Sequence, residues 1–274
     1  VYDMHKKKLL CTKDLRRSNG ECFDGDDLCS PTSVVVTQDA LHVVVADSDK
    51  NRLIILSLDI HAGTASPNVT LTWLSAFGQE MLKYPSGLAL CTVNERLTVL
   101  VAERWGHRVS EWNIDGARVR TVCGTGHTGS DEGQLTHPSD VVVLPQCGHI
   151  VVADIDNHRI SVFRYCGCFL YSFGQTTLFH PCALAVDSQD HILVLDHKKD
   201  LRVYDTQGEL VYTEEAVCFA GRKGIEWTEC EDGRLYIAHY DEDEVDVCCL
   251  PPPVERDDAT EKIEGQAQRD EERQ

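Results

Sequence analysis

Nowhere among the 274 residues is there an uninterrupted run of roughly 18 apolar positions, so no membrane-spanning helix is expected. No two cysteines stand in C-x-x-C spacing, which removes the commonest zinc-binding and thiol-redox motifs. Basic charge is scarce: 26 Lys and Arg face 45 Asp and Glu, for a net charge of −19. Such a chain repels nucleic acid at long range, so any contact with it would need a local basic patch. No leader peptide is visible. The sequence opens at Val1, and Val1-Tyr2-Asp3 reads like the end of a strand, which predicts a fragment of a longer chain.

Cysteine, by contrast, is plentiful. The 13 residues are scattered, apart from Cys166-Gly167-Cys168 and Cys248-Cys249. Cys91, Cys182 and Cys248 fall inside apolar runs, where cysteine behaves as a small hydrophobe. Reduced thiols in an intracellular, cytoplasmic protein are therefore expected, since disulfides are rare there. The sequon Asn68-Val69-Thr70 points the other way, but such triplets arise by chance.

The chain is organised by a recurring strand–turn–strand unit. Its best copy is Ala153-Asp154-Ile155-Asp156-Asn157-His158-Arg159-Ile160, between Ile150-Val151-Val152 and Ile160-Ser161-Val162-Phe163. The flanks have strand length and β-branched content, and the polar centre has turn chemistry. Close copies begin at Ala46 and Ala102, and weaker ones at Leu195 and Ala238. A proline leads each unit: Pro31, Pro85, Pro138 and Pro181 each precede an apolar run. A period of roughly 40–50 residues built from four short strands predicts an all-β propeller. In the unit after Pro138 the strands are expected at 140–144, 149–153, 159–165 and 168–173. The first two are almost wholly apolar, as for strands buried on both faces.

Units are expected near 1–30 (partial), then at 31–84, 85–137, 138–180 and 181–220, and at 221–250 (partial). An outer strand at the amino-terminal end and a unit short of one strand at the carboxyl-terminal end predict ring closure by strand exchange, which would hide sheet edges. Pro251-Pro252-Pro253 stops the last strand, and residues 251–274, polar and charged, are expected to form a disordered tail.

Asn157-His158-Arg159-Ile160 in this setting resembles the NHL repeat. A Gly-rich lead (Gly124, Gly126, Gly129, Gly133) precedes Gln134-Leu135-Thr136-His137-Pro138. An apolar strand, the Val-Ala-Asp turn and Phe169-Leu170-Tyr171-Ser172-Phe173-Gly174 follow, in that family's order. The resemblance is strong in 120–174, fair in 31–56 and 85–112, and weak after 195. It implies an NHL-type β-propeller, commonly six-bladed, of which about five units are visible over 1–250. The family includes interaction domains of tripartite-motif ubiquitin ligases, RNA-binding translational repressors and an amidating lyase, so the fold constrains function only loosely. No RING-type Cys/His array occurs in these residues.

Each motif has competing readings. Gly124-Thr125-Gly126-His127-Thr128-Gly129 matches G-x-G-x-x-G, but a loop, a proline and a strand follow where a dinucleotide site needs a helix. Cys166, Cys168, His180 and Cys182 have zinc-ligand chemistry, yet the meander sends the Cys turn and His180 to opposite ends of the blade. The lyase relative carries metal-binding His just after the blade-leading Pro, where this chain has Thr32, Ser86, Ser139 and Cys182. His137 and His180 precede the Pro and are expected to cap the strand. The acids Asp47, Glu103, Asp154 and Asp196 are read as turn-forming residues whose carboxylates accept loop N–H groups. The alternative is a calcium ion on the axis.

The loop face also carries Lys50, Asn51, Arg52, Arg104, Trp105, His107, Arg108, Asp156, Asn157, His158, Arg159, Lys198 and Lys199. Arg and Trp anchor protein interfaces, and Arg with aromatics stacks on unpaired bases. The sequence reading is therefore a non-enzymatic scaffold that recognises a protein partner through this face, with no metal, membrane or small-molecule cofactor expected. The alternatives are a single-stranded RNA-binding propeller, the substrate-recognition part of a ubiquitin ligase, and a metal-dependent lyase or lactonase.

Overall fold

The structure is a computed structural model that describes residues 2–3, 8–9, 28, 30–37, 41–61, 68–93, 95–198, 200–214, 234–239 and 244–249. It is a β-propeller. Blade one holds β3 (Pro31–Val36), β4 (His42–Asp47), β5 (Arg52–His61) and β6 (Asn68–Phe77). Blade two holds β7 (Pro85–Val93), β8 (Arg96–Glu103), β9 (Arg108–Asn113) and β10 (Arg118–Cys123). Blade three holds β11 (Pro138–Val143), β12 (Ile150–Asp154), β13 (Arg159–Phe163) and β14 (Phe169–Phe173). Blade four holds β15 (Pro181–Val186), β16 (Ile192–Asp196), β17 (Leu201–Tyr204) and β18 (Leu210–Glu214). Every blade is an antiparallel meander in chain order, and the first strands of consecutive blades lie beside one another.

Two further strand pairs flank these blades. β1 (Tyr2–Asp3) pairs with β2 (Lys8–Leu9), and β19 (Arg234–His239) with β20 (Glu244–Cys249). The pairs form separate two-stranded sheets, so the expected exchange of a strand between the two ends is not seen among the described residues. The tail at 251–274 lies outside them. No helix among the described residues is long and apolar enough to cross a membrane.

Alternation within the second strands explains their unbroken apolar composition. Side chains one apart on a strand point to opposite faces of the sheet. Ile150 and Val152 pack toward blade two, with Leu100, Ala102 and Val109, whereas Val151 and Ala153 pack toward blade four, with Leu184, Ile192 and Val194. Each blade is thus a slab buried on both sides, and the core is a series of inter-blade layers. The layer between blades one and two is closed by Trp112, fully buried against Leu53, Ile55 and Val101.

Each first strand also begins two residues earlier than its apolar run suggests. The leading Pro pairs opposite the turn acid (Pro31 with Asp47, Pro85 with Glu103, Pro138 with Asp154, Pro181 with Asp196), and the register then shifts by one residue. The residue after each proline is a bulge, which re-aims its side chain. Thr32, Ser86 and Ser139 turn their hydroxyls toward the next blade and donate to the carbonyls of Pro85 (3.1 Å), Pro138 (3.1 Å) and Pro181 (2.9 Å). Cys182 donates instead to Leu195 O within its own blade, at 3.5 Å.

Candidate partner-binding face

The connection between the second and third strands is a single 3₁₀ turn in the first three blades: Ser48–Lys50, Arg104–Gly106 and Ile155–Asn157. A left-handed residue ends each turn: Asn51 (φ 51°), His107 (φ 50°) and His158 (φ 52°). Asn and His are among the non-glycine residues most tolerant of this conformation.

The acid before each turn is buried and occupied. Asp47 accepts the Ser30 N–H (3.1 Å) and pairs with Arg52 Nε (2.9 Å). Glu103 accepts the Lys83 N–H (3.1 Å) and the Ser110 hydroxyl (2.6 Å), and holds Arg108 through Nε and a terminal nitrogen, both at 2.9 Å. Asp154 accepts the Thr136 N–H (2.6 Å), Asn157 Nδ2 (2.8 Å) and Arg159 Nε (2.9 Å). Asp196 accepts the Phe179 N–H (3.0 Å), the Lys198 N–H (2.9 Å) and Arg202 (2.7 Å). Every acid therefore ties the loop before its blade to the first residues of the third strand. Burial pushes the Asp154 carboxyl up, against the lowering by Asn157, Thr136 and Arg159.

A second device joins neighbouring blades. The residue before the leading proline of blades two, three and four is also left-handed: Tyr84 (φ 56°), His137 (φ 53°) and His180 (φ 52°). Its N–H donates to the side chain that ends the previous blade's turn. Tyr84 N reaches Asn51 Oδ1 at 2.6 Å, His137 N reaches His107 Nδ1 at 3.2 Å, and His180 N reaches His158 Nδ1 at 3.1 Å. This defines what Asn or His contributes at that point of the repeat: an acceptor that reaches across to the following blade. An imidazole can accept at Nδ1 only when that nitrogen carries no proton.

A pH dependence follows. Burial first, then the nearby His137 and Lys83, hold His107 below the ordinary histidine value of 6.5. A depressed folded-state value means that the latch contributes fully above the unfolded value and is lost as pH falls through the lower folded one. Thermal melts are expected to weaken from about pH 6.5 downward. His107→Asn, which copies Asn51, is expected to flatten part of that slope, whereas His107→Ala lowers stability by about 1 kcal/mol above about pH 6.5 and by less as the latch is lost at lower pH. An unchanged slope in His107→Asn would refute the latch as its source.

The candidate residues divide accordingly. Arg52 and Arg159 are buried, at 0% and 7% exposure, so they leave the candidate face as a correction: each is a cross-strand partner of a turn acid. Arg108, half-buried, is likewise committed to Glu103. Asn157 is held by Asp154 and the Gly129 carbonyl. Asn51, His107 and His158 serve the latches, and Lys50 and Arg104 are half-buried. Lys199 lies outside the described residues.

Still exposed are Trp105, at 61%, Asp156 and Lys198. Trp105 stacks on Tyr84 at 4.7 Å, and Lys198 Nζ lies 5.7 Å over Phe179. Asp156 bridges His137 (2.6 Å) and His180 (3.5 Å). The rings of His107 and His137 are 4.5 Å apart, those of His158 and His180 4.3 Å, and those of Phe179 and His180 4.6 Å. Contacts thus run without a break from His107 through His137, Asp156, His180 and Phe179 to Lys198. Sequence reasoning kept His137 and His180 as strand caps and overlooked Tyr84 and Phe179. The available signal was position, since Tyr84, His137 and His180 all immediately precede the blade-leading proline.

The zinc set drawn from sequence is not assembled. Cys166 and Cys168 lie in the β13–β14 turn, and His180 belongs to the opposite end of the blade. Near the axis, Asp140 accepts the N–H groups of Val141 and Leu184, both at 2.8 Å, and burial pushes it up to about 7. Gly87 makes room for it: a Cβ there would stand 2.4 Å from Asp140 Oδ1.

The NHL repeat family matches residues 135–163. Among curated proteins, "Protein brain tumor" of Drosophila melanogaster is 30% identical over 47% of this chain and 12% of its own length. "B-box type zinc finger protein ncl-1" of Caenorhabditis elegans is 35% identical over 28% of this chain and 15% of its own. The chain thus spans less than a fifth of the length of these relatives. Among solved structures, a chain in the crystal structure of a nidogen/laminin complex aligns with a TM-score of 0.58 at 18% identity, covering 80% of this chain and 76% of that one.

Proposed function

We propose that this β-propeller, which carries an NHL-repeat match at residues 135–163, is a non-enzymatic binding module that takes a protein partner on the loop face of blades two to four. One observation carries the reading. The turn acids and their arginines are consumed internally, and what remains outward is the continuous rim from His107 to Lys198 with Trp105 and Phe179 as exposed aromatics. Trp105 at 61% and Phe179 at 44% are large aromatic side chains left exposed on this face. Aromatic and Arg side chains dominate interface energetics, and Arg104 stands next to Trp105 in the same turn.

The test is affinity capture on immobilised protein after nuclease treatment, read by quantitative mass spectrometry against Trp105→Ala. An anchor costs about 2 kcal/mol or more on truncation, so captured partners are expected to weaken about 30-fold. Exposed substitutions change stability by about 0.5 kcal/mol or less, so melts should stay nearly unchanged. Partners retained at full strength by Trp105→Ala and Arg104→Ala would sink the choice of face. Salt-sensitive retention of single-stranded RNA in filter binding would move the reading to the RNA alternative.

A further inference from the structure

We propose that Cys166 and Cys168, at the far end of blade three from the partner face, form a redox-active dithiol that exchanges with small disulfides such as oxidised glutathione. The two residues flank Gly167 in the tight turn joining β13 to β14. The turn is pinned twice: the Gly167 N–H donates to Arg164 O at 2.8 Å, and the Arg164 N–H donates to Cys168 O at 2.9 Å. Gly167 has φ 95°, and a Cβ there would come within 2.4 Å of the Val122 carbonyl in blade two. Only glycine fits, so the turn holds its two cysteines in a fixed relation. Both thiols are exposed and free.

The local hydrogen bonds divide the roles. The backbone N–H and the S–H of Cys168 both donate to Cys166 Sγ, and Arg164 adds positive charge, so Cys166 is held below the ordinary thiol value. The same S–H bond pushes Cys168 above it. No other described cysteine shares this setting. Burial raises Cys91 and Cys147, pushes Cys182 up to about 12, and raises the buried Cys123 as well. Thiolate character with exposure is what makes a cysteine reactive.

The chemistry balances as thiol–disulfide exchange. The Cys166 thiolate attacks one sulfur of glutathione disulfide, the glutathione S–S bond breaks, and one glutathione thiolate leaves and takes up the Cys166 proton. Cys168 then attacks the Cys166 sulfur of the mixed disulfide, forms the Cys166–Cys168 bond and expels the second glutathione, which takes the Cys168 proton. The protein dithiol loses two electrons, and one glutathione disulfide becomes two thiols. The two cysteines stand one residue apart in a turn pinned by two backbone hydrogen bonds, which keeps their side chains near one another. A bridge across one residue closes a small ring, and strained bridges are the labile, regulatory kind.

The experiment uses the whole chain, reduced and then exposed to oxidised glutathione near neutral pH, with acid quenching, alkylation and peptide mass spectrometry. The expected product is a Cys166–Cys168 bridge, formed equally in Cys147→Ser. Cys168→Ser should stop at a glutathione adduct on Cys166, and Cys166→Ser should slow adduct formation in this turn about tenfold. The proposal is overturned if Cys166 reacts no faster than Cys147, if Cys168→Ser carries no adduct on Cys166, or if Cys166 bridges to Cys147 instead.

Discussion

Asp154→Ala is expected to lower stability by about 3–5 kcal/mol, a fall in Tm of roughly 10 °C, because it removes one partner of a buried charged pair. Asp154 and Arg159 are cross-strand neighbours at the turn end of β12 and β13, with side-chain exposures of 0% and 8%. Alanine strands the guanidinium, although its terminal nitrogens keep the Ser130 and Gln134 carbonyls, at 2.8 and 2.9 Å. It also orphans the Thr136 N–H and one Asn157 donor. Asp154→Asn keeps an acceptor for Thr136 and is expected to cost less, about 1–3 kcal/mol. Taking two charges out of water costs about as much as their attraction returns, so a buried pair as a whole is only weakly stabilising. Replacing both, as Asp154→Leu with Arg159→Met, should therefore recover part of the loss. Calorimetric melts of the three variants decide the matter. A double variant as unstable as Asp154→Ala would show that the loss comes from the loop hydrogen bonds and not from the stranded charge.

The same pair shows what the sequence made legible. The inter-blade core could be read because an unbroken apolar run between turn signals has one economical explanation, a strand covered on both faces, and Ile150 to Ala153 obey it. The leading prolines gave the spacing of the blades. The arginines were misplaced because polarity at a turn was taken for exposure. The signal lay in the repeats: acid and Arg recur five apart at Asp47 and Arg52, Glu103 and Arg108, Asp154 and Arg159. In a hairpin the last residue before a turn faces the first after it, so opposite charges there are neighbours. Blade four departs from this spacing: Leu195 faces Leu201 and Arg202 lies opposite Val194, yet Arg202 still pairs with Asp196 at 2.7 Å. The latches could not be read in this way. They depend on left-handed backbone at His137 and His180 and on the rotation between blades, neither of which composition or periodicity encodes.

Trp112→Ala is expected to cost about 3–5 kcal/mol, through lost burial and the cavity left behind. Trp112 is fully buried in the layer between blades one and two, with its ring 5.7 Å from Phe77. It is also wired to the turn. Its Nε1–H donates to Ser110 Oγ at 2.8 Å, and Ser110 donates in turn to Glu103 at 2.6 Å. Trp112→Phe keeps most of the apolar area and removes only the indole hydrogen bond, so about 1–2 kcal/mol is expected from it. Urea unfolding of the two variants separates packing from hydrogen bonding, and equal losses would mean that the network to Glu103, not the volume, is what Trp112 contributes. Trp112 and Asp154 sit in different parts of the blade series and share no partner, so their costs should add. Together they reach about 6–10 kcal/mol, comparable with the whole stability of about 5–15 kcal/mol for a natural domain. Trp112→Ala with Asp154→Ala is therefore expected not to accumulate as folded protein, and a cooperative melt from that double variant would show that the summed costs fall short of the total stability.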